Sequence, residues 1–353
     1  MIKSELNLFI TGIGNVGYKV FEEISQNKNF YLKNYNVDLK IIGISNSKKM
    51  LFDKNEINFE NWKELIKKGE DSDKEKFLKK VIKFNLINSV FIDNTDSVHI
   101  AETYFEYLSN NIHVVTCNKI ACSSDYKYYE KLKNQSRFGK SKFLYETTVG
   151  SSLPVIETLN NLKKSGAKII SIIGILSGTL NYIFDNFLKE NTFHKVVKNA
   201  VDQGFTEPDP KIDLSGTDTA RKILILVREN GIFNELSDIK INNFIPEKCL
   251  KLDGNAKFFN CLEKNKKIFN NLLKESIRKK SKIRYVAEYK HGKAEIGIKM
   301  IAKNHHFYNI NSIDNAVLFF LENESDPKEV LIGPGAGGLV TSKGVINDIL
   351  KII

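Results

Sequence analysis

Acids and a closing lysine gather between Gln203 and Lys222, in the stretch QGFTEPDPKIDLSGTDTARK, more densely than an amphipathic helix requires. Gly204, Pro208 and Pro210 restrict or specialise the backbone, so Glu207 and Asp209 project at set angles, and Asp213 stands just before a helix in a position suited to capping it. That helix sets Asp218 and Lys222 four residues apart on one face. On a surface such a pair is an ordinary contact worth about 0.3 to 0.5 kcal/mol. Beside a loop of carboxylates it has a second use. An ammonium can steady a developing alkoxide or hand it a proton.

A second constellation lies at the N-terminus. The apolar run Leu6 to Ile10 leads through Thr11 into Gly12-Ile13-Gly14-Asn15-Val16-Gly17, a strand, a turn and the start of a helix. In that setting the first glycine permits the tight turn, the second lets backbone amides approach a pyrophosphate, and the third allows helix and strand to pack closely. The next strand, Asp38 to Ile44, ends in Ser45-Asn46-Ser47-Lys48-Lys49, with no acid to hold a ribose 2′-hydroxyl or repel a 2′-phosphate. NADP is therefore favoured, with NAD possible, although Lys48 and Lys49 read equally as solvated loop lysines.

These residues need elements to position them. Strands at Val90 to Ile92, His113 to Thr116 and Phe143 to Glu146 alternate with helices over Val98 to Ser109 and Tyr126 to Gln135, the rhythm of βαβ units and a parallel sheet. Thr95 and Lys119 follow strand ends, where open parallel sheets bind ligands. Beyond Gly150 the pattern changes to α+β. A helix over Pro154 to Leu162 and a strand over Lys168 to Leu176 precede the turn Ser177-Gly178-Thr179, which opens a helix. Ile283 to Glu288 and Glu295 to Ile301 flank His291-Gly292 as a hairpin, and Ala316 to Leu321 adds a strand able to pair across a two-fold axis. The glycine-rich Gly333 to Gly338 leads into a last helix to Ile349.

Composition allows an enzyme of two domains. The chain has 353 residues, 42% of them hydrophobic, enough for a sizeable core. Its net charge of +11 is spread along the sequence rather than gathered in a block, so neither nucleic acid nor a membrane surface is the expected partner. The basic run Lys74 to Lys83 is periodic and reads as a helix with a wet face. The four cysteines, Cys117, Cys122, Cys249 and Cys261, are irregularly spaced and predict neither a disulfide framework nor a zinc site, but free thiols in a reducing compartment. With no leader and no long apolar run, a cytoplasmic, soluble protein is expected.

Taken together, GIGNVG, DNTDSVHIAE, HVVTCNK, YETTVGSSLPVIETL, GILSGTLNYIF, the acidic stretch and GPGAGGLVTSKGV resemble homoserine dehydrogenase, above all the dehydrogenase portion of enzymes fused to aspartate kinase. The resemblance implies a Rossmann-like cofactor domain, residues 1–150 completed by 333–353, and an α+β catalytic and dimerisation domain, residues 151–332. It implies interconversion of aspartate 4-semialdehyde and homoserine by hydride transfer in amino-acid biosynthesis. Lys222 and Lys119 match the family's lysines at the reacting oxygen, and Asp218 and Glu207 its substrate-binding acids. Gly178, Thr179 and Gly204 match positions lining the substrate pocket, and Gly335 joins Gly12, Gly14, Asn15, Val16, Gly17, Ser45, Thr95 and Lys119 at the cofactor.

Main-chain carbonyls of Glu146, Val149, Ser151 and Leu153 match a site for Na+ or K+, and a homodimer is implied. There is no room for the kinase or for a regulatory domain after Ile353, so feedback through one is not expected. Three departures stand out. Phe205 replaces a tyrosine, Cys117 replaces a frequent proline, and Glu263 to Lys282 matches poorly. An aspartate-semialdehyde dehydrogenase would instead need an activated thiolate, and a cofactor-binding regulator would have no use for Glu207, Asp218 and Lys222.

Overall fold

β-branched and aromatic runs build two sheets in this computed structural model, which describes residues 4–190, 192–311 and 313–353. Contacts divide the chain into a unit that runs through Ser152 and takes back Gly337–Ile353, and a unit formed by Leu153–Ala336.

The first unit holds β1 (Ser4–Thr11), β2 (Val37–Ser45), β3 (Lys49–Phe52), β4 (Glu70–Asp71), β5 (Ser89–Asp93), β6 (His113–Thr116) and β7 (Phe143–Leu144), in the order β4-β3-β2-β1-β5-β6-β7. The strands from β2 across to β7 are parallel. Leu8, Phe9 and Ile10 are consecutive and fully buried, as a strand covered on both faces demands. Strand order reverses at β1, whose neighbours β2 and β5 leave a crevice at their carboxyl ends. Helices Asn15–Gln26 and Gly338–Leu350 pack against each other and, through Val20, Ile24, Val345 and Ile349, onto one apolar core.

Two features differ from the parallel rhythm. The loop after β2 turns back as an antiparallel edge, β3 and β4, because the Asn46 side chain accepts the Lys48 and Lys49 amides at 2.8 Å and reverses the chain. The helix expected over Val98 to Ser109 breaks into Val98–Ala101 and Tyr104–Ser109, where the Thr103 hydroxyl donates to Ile100 O at 2.7 Å. Strand β7 is shorter than expected, and Glu146–Thr148 is a 3-10 turn.

The second unit holds β8 (Ile169–Ile175), β9 (Lys240–Ile241), β10 (Lys282–Lys290), β11 (Lys293–Ile301), β12 (Asp314–Leu321) and β13 (Glu329–Pro334), in the order β13-β12-β8-β10-β11-β9. All pairs are antiparallel except β11 with β9. The β10–β11 hairpin turns at His291 and Gly292, both at positive φ. Strand β12 is bonded on both sides, so it cannot pair across a two-fold axis as its sequence suggested; the edges are β13 and the two-residue β9. Helices Gly178–Glu190, Phe193–Asp202 and Lys266–Arg278 contribute an aromatic core in which Phe193 stacks on Phe269 at 4.1 Å, and helix Thr217–Glu229 buries aliphatic side chains. The lysine- and asparagine-rich segment thus becomes an ordinary amphipathic helix, with Phe269 and Leu273 buried.

The cysteines also correct the expectation. Cys249 and Cys261 form a disulfide, their Cα atoms 5.6 Å apart, whereas Cys117 and Cys122 are free. Helices Glu247–Leu250 and Asn255–Lys264 fold back on one another and bring the thiols together, a proximity that a spacing of 12 residues does not announce. Among the described residues no helix is long and apolar enough to cross a membrane.

His113, opening β6, accepts the Lys142 amide hydrogen at Nδ1 over 2.9 Å. Burial, aided by the Lys142 charge, pushes its pKa down from 6.5 to about 4. A histidine harder to charge when folded contributes stability above its unfolded value near 6.5, and that stability is lost as pH falls from there towards about 4. Melting temperatures followed from about pH 7 to about pH 4 should therefore fall less for His113→Gln than for wild type. Equal losses would show that His113 takes no part in acid destabilisation.

Candidate active site

In the first unit the glycine turn shapes the crevice at the end of β1. Gly12 has φ of 86° and donates its amide hydrogen to Ser45 O at 2.9 Å. A Cβ on Gly12 would lie 2.7 Å from Thr95 Cγ2, and one on Gly17 only 2.1 Å from Gly12 O. Glycine at both positions is therefore a steric requirement for seating the helix that begins at Asn15. A cavity of about 510 Å³ opens there, lined by Thr11 to Gly14, Ser45 to Ser47 and Asn94 to Ser97, and farther in by Phe77 and Ile100.

Gly12, Gly14, Ser45 and Thr95 thus face one cavity. Asn15, Val16 and Gly17 shape the helix start instead and do not line it. The size, the exposed backbone and the helix N-terminus fit a dinucleotide.

The crevice wall also bears on cofactor type. No carboxylate stands at Ser45 to Ser47, as the sequence reading requires, yet the lysines after them are not part of the lining. Lys49 is paired with Asp71 at 2.9 Å. Lys74 lines the cavity instead, a residue read from sequence only as one of a helix's wet face. Its neighbour Asp73 caps that helix, accepting the Lys76 amide at 2.8 Å.

Asp93, at the end of β5, is a positioning group that sequence reading missed. It is wholly buried and accepts hydrogen bonds from Thr95 N at 2.7 Å, from Asn118 Nδ2 at 3.0 Å and from the Tyr104 hydroxyl. Burial pushes its pKa up while these donors pull the other way. The network anchors the two turns that carry Thr95 and Lys119, and Lys119 starts the short helix Ile120–Ser123. Cys117, one residue before Asn118, has its thiol pushed up to about 12 by burial and the nearby Asp93 charge. It is no thiolate nucleophile.

In the second unit the acidic stretch forms a continuous site. Helix Phe193–Asp202 ends with Gly204 at φ of 72°, where the amides of Gly204 and Phe205 return to Val201 O and Ala200 O at 3.0 and 2.9 Å. Gly204 is thus a helix terminator. Asp209 caps the short helix Pro210–Leu214, and Asp213 lies inside that helix. The expected capping by Asp213 is wrong, because this extra turn was not visible as a helix; Gly216, at φ of 76°, stands before helix Thr217–Glu229. A Cβ on Gly216 would meet the Tyr285 hydroxyl at 2.2 Å.

Asp213 instead faces the loop. Its carboxylate accepts the Glu207 amide at 2.9 Å and lies beside the Thr179 hydroxyl, which donates to Phe205 O at 2.6 Å. Burial raises the Asp213 pKa, and the charges of Glu207 and Asp218 raise it further. Three carboxylates therefore share one small region, an arrangement that favours a cation.

Beside them, Lys222 Nζ lies 2.8 Å from Asp218 and donates to Leu176 O at 2.7 Å, with its side chain only 13% exposed. Among the described residues these contacts use two of the three ammonium donors, which leaves one for an oxygen. The helix containing Gly178 and Thr179 is capped by Ser177, whose hydroxyl takes the Leu180 amide. Phe205 stacks on Tyr182 at 4.3 Å, so its ring is held although its family hydroxyl is absent.

The remaining sequence candidates fall as follows. Glu146, Val149 and Ser151 are buried in the first unit, Ser151 at φ of 58°, and Leu153 belongs to the second. The carbonyls of Glu146 and Leu153 each accept one backbone bond. Gly335 belongs to the second unit and lies against Asn315, where a Cβ would be 2.0 Å from Cγ; its identity is accounted for by packing.

Comparison with known proteins adds the family. Residues 12–146 match the model "Homoserine dehydrogenase, NAD binding domain", and residues 154–350 match "Homoserine dehydrogenase". A bifunctional aspartokinase/homoserine dehydrogenase 2 of Arabidopsis thaliana is 37% identical over 99% of this chain, which spans 39% of that relative's length. The homoserine dehydrogenase of Schizosaccharomyces pombe is 31% identical, with 99% of this chain and 96% of that protein covered. A crystal structure of a Candida auris protein of unknown function has a TM-score of 0.90 at 28% identity, covering 99% of this chain and 98% of that one. With both domain models matched in order and a full-length relative alongside, the chain belongs to the homoserine dehydrogenase family.

Proposed function

We propose that the protein interconverts aspartate 4-semialdehyde and homoserine by hydride transfer, with NADP as the preferred nicotinamide cofactor. One observation carries this reading: a nearly buried ammonium, Lys222, is fastened by Asp218 and Leu176 O with a donor to spare, beside a cluster of carboxylates. A bound nicotinamide would supply the hydride in the reducing direction. Reduction of an aldehyde leaves negative charge on its oxygen, and Lys222 answers it as a charge and as a proton donor. Asp218 holds that ammonium in place. Glu207 and Asp213 face the substrate's own ammonium, whose arrival offsets the burial and the neighbouring charges that raise the Asp213 pKa.

Lys119, carried by the Asp93-anchored turn, is the second lysine of the reaction on family grounds. NADP is favoured because Ser45, Asn46 and Ser47 stand at the end of β2, where an NAD-selective acid would be. A monovalent cation, Na+ or K+, bound by the carbonyls of Glu146, Val149, Ser151 and Leu153 belongs to the same reading. So does a homodimer, for which the edge strand β13, with Val330 and Ile332 exposed, offers an apolar face.

Purified protein mixed with homoserine and NADP should produce reduced nicotinamide, followed by its absorbance. Lys222→Ala should lower turnover about 10²-fold or more, and a loss within a factor of about 3 would remove Lys222 from the chemistry. Rates compared at equal NADPH and NADH should favour NADPH, and a large preference for NADH would overturn the reading of the cavity wall. Sedimentation should find a dimer; monomer alone at every concentration tested would reject the assembly.

A further inference from the structure

The loop that carries Glu207 is short of backbone donors, because Pro208 and Pro210 remove two of them. Within the loop the Thr206 hydroxyl donates to Glu207 O at 2.8 Å, and the Asp213 carboxylate accepts the Glu207 amide. Two further fixings come from the turn between helices Glu247–Leu250 and Asn255–Lys264. Asn255 Nδ2 donates to Pro208 O at 2.9 Å, and Lys211 Nζ donates to Leu252 O at 2.6 Å while pairing with Asp209 at 3.3 Å.

Leu252 and Asn255 both lie inside the segment closed by the Cys249–Cys261 disulfide. A helix of four residues such as Glu247–Leu250 has little stability of its own. Its buried Cys249 is covalently tied to the longer helix, which restricts the turn between them.

We propose that Asn255 and Lys211, held by the disulfide-closed turn, are positioning residues for Glu207, so that opening the Cys249–Cys261 bridge weakens binding of the amino-bearing substrate and leaves the cofactor site untouched. Opening is an ordinary exchange with a dithiol. Two electrons and two protons pass to the bridge, Cys249 and Cys261 become thiols, and the reductant closes to its own disulfide. The proposal rests on the reading of Glu207 as the acid that meets the substrate ammonium.

The test compares oxidised enzyme, enzyme treated with dithiothreitol, Asn255→Ala and Asn255→Asp; the last keeps the size of the side chain but loses the donor to Pro208 O. Denatured without reductant, the protein should show the two thiols Cys117 and Cys122, and after reduction all four cysteines. Amide hydrogen exchange should quicken across residues 204–215 on reduction and in both variants, while the β10–β11 hairpin is unchanged. The KM for homoserine should rise about five-fold, the loss expected of one hydrogen bond, with kcat and the KM for NADP moved by less than about two-fold. Four thiols before reduction would overturn the bridge. Unchanged exchange and KM in the reduced enzyme and in Asn255→Asp would overturn the positioning role. Quickened exchange in a protein whose oxidised form never turns over homoserine would support the brace and sink the substrate reading instead.

Discussion

A charged amine that is nearly buried must be answered on the spot, and the contact of Lys222 with Asp218 and Leu176 O is the constraint around which the second unit is arranged. The carbonyl is available because it lies just past the end of β8, a strand bonded on both sides by β10 and β12. The carboxylate is available because Asp218 sits one helical turn earlier, in the first turn, where the helix dipole favours a negative charge. Gly216 sets where that helix can start, since any larger residue would strike Tyr285. Sheet, helix start and left-handed turn together specify the position of a single nitrogen.

Negative charge is concentrated around it at some cost to the empty protein. Burial raises the affinity of Asp213 for a proton, and the charges of Glu207 and Asp218 raise it further. A fold selected for stability alone would separate them. In the first unit the glycine turn bares backbone amides, which suits an extended anionic cofactor recognised through its phosphates.

Legibility in the sequence followed the range of the interactions involved. The strand, turn and helix around Gly12 to Gly17 could be read because each glycine answers a neighbour close along the chain, as Gly17 does with Gly12 O. The four-residue spacing of Asp218 and Lys222 could be read because a helix makes it a contact. The role of Asp213 could not, because a single extra turn of helix moved it from a presumed cap to the Glu207 amide. Asp93 was equally silent, since its partners Tyr104 and Asn118 come from different elements. Lys74 looked like one more solvated lysine until its helix was placed beside the crevice.

By itself the sequence determined the alternation of elements, the family, and which residue types could bind a dinucleotide or steady an alkoxide, all of them consequences of local periodicity and short-range spacing. Only the tertiary structure decided that Cys249 meets Cys261, that β12 is an interior strand and β13 an edge, and that Leu176 supplies the second anchor of Lys222. These are pairings between distant parts of the chain. They depend on how whole helices and strands pack, and no spacing along a polymer encodes the distance between two segments until the core between them is filled.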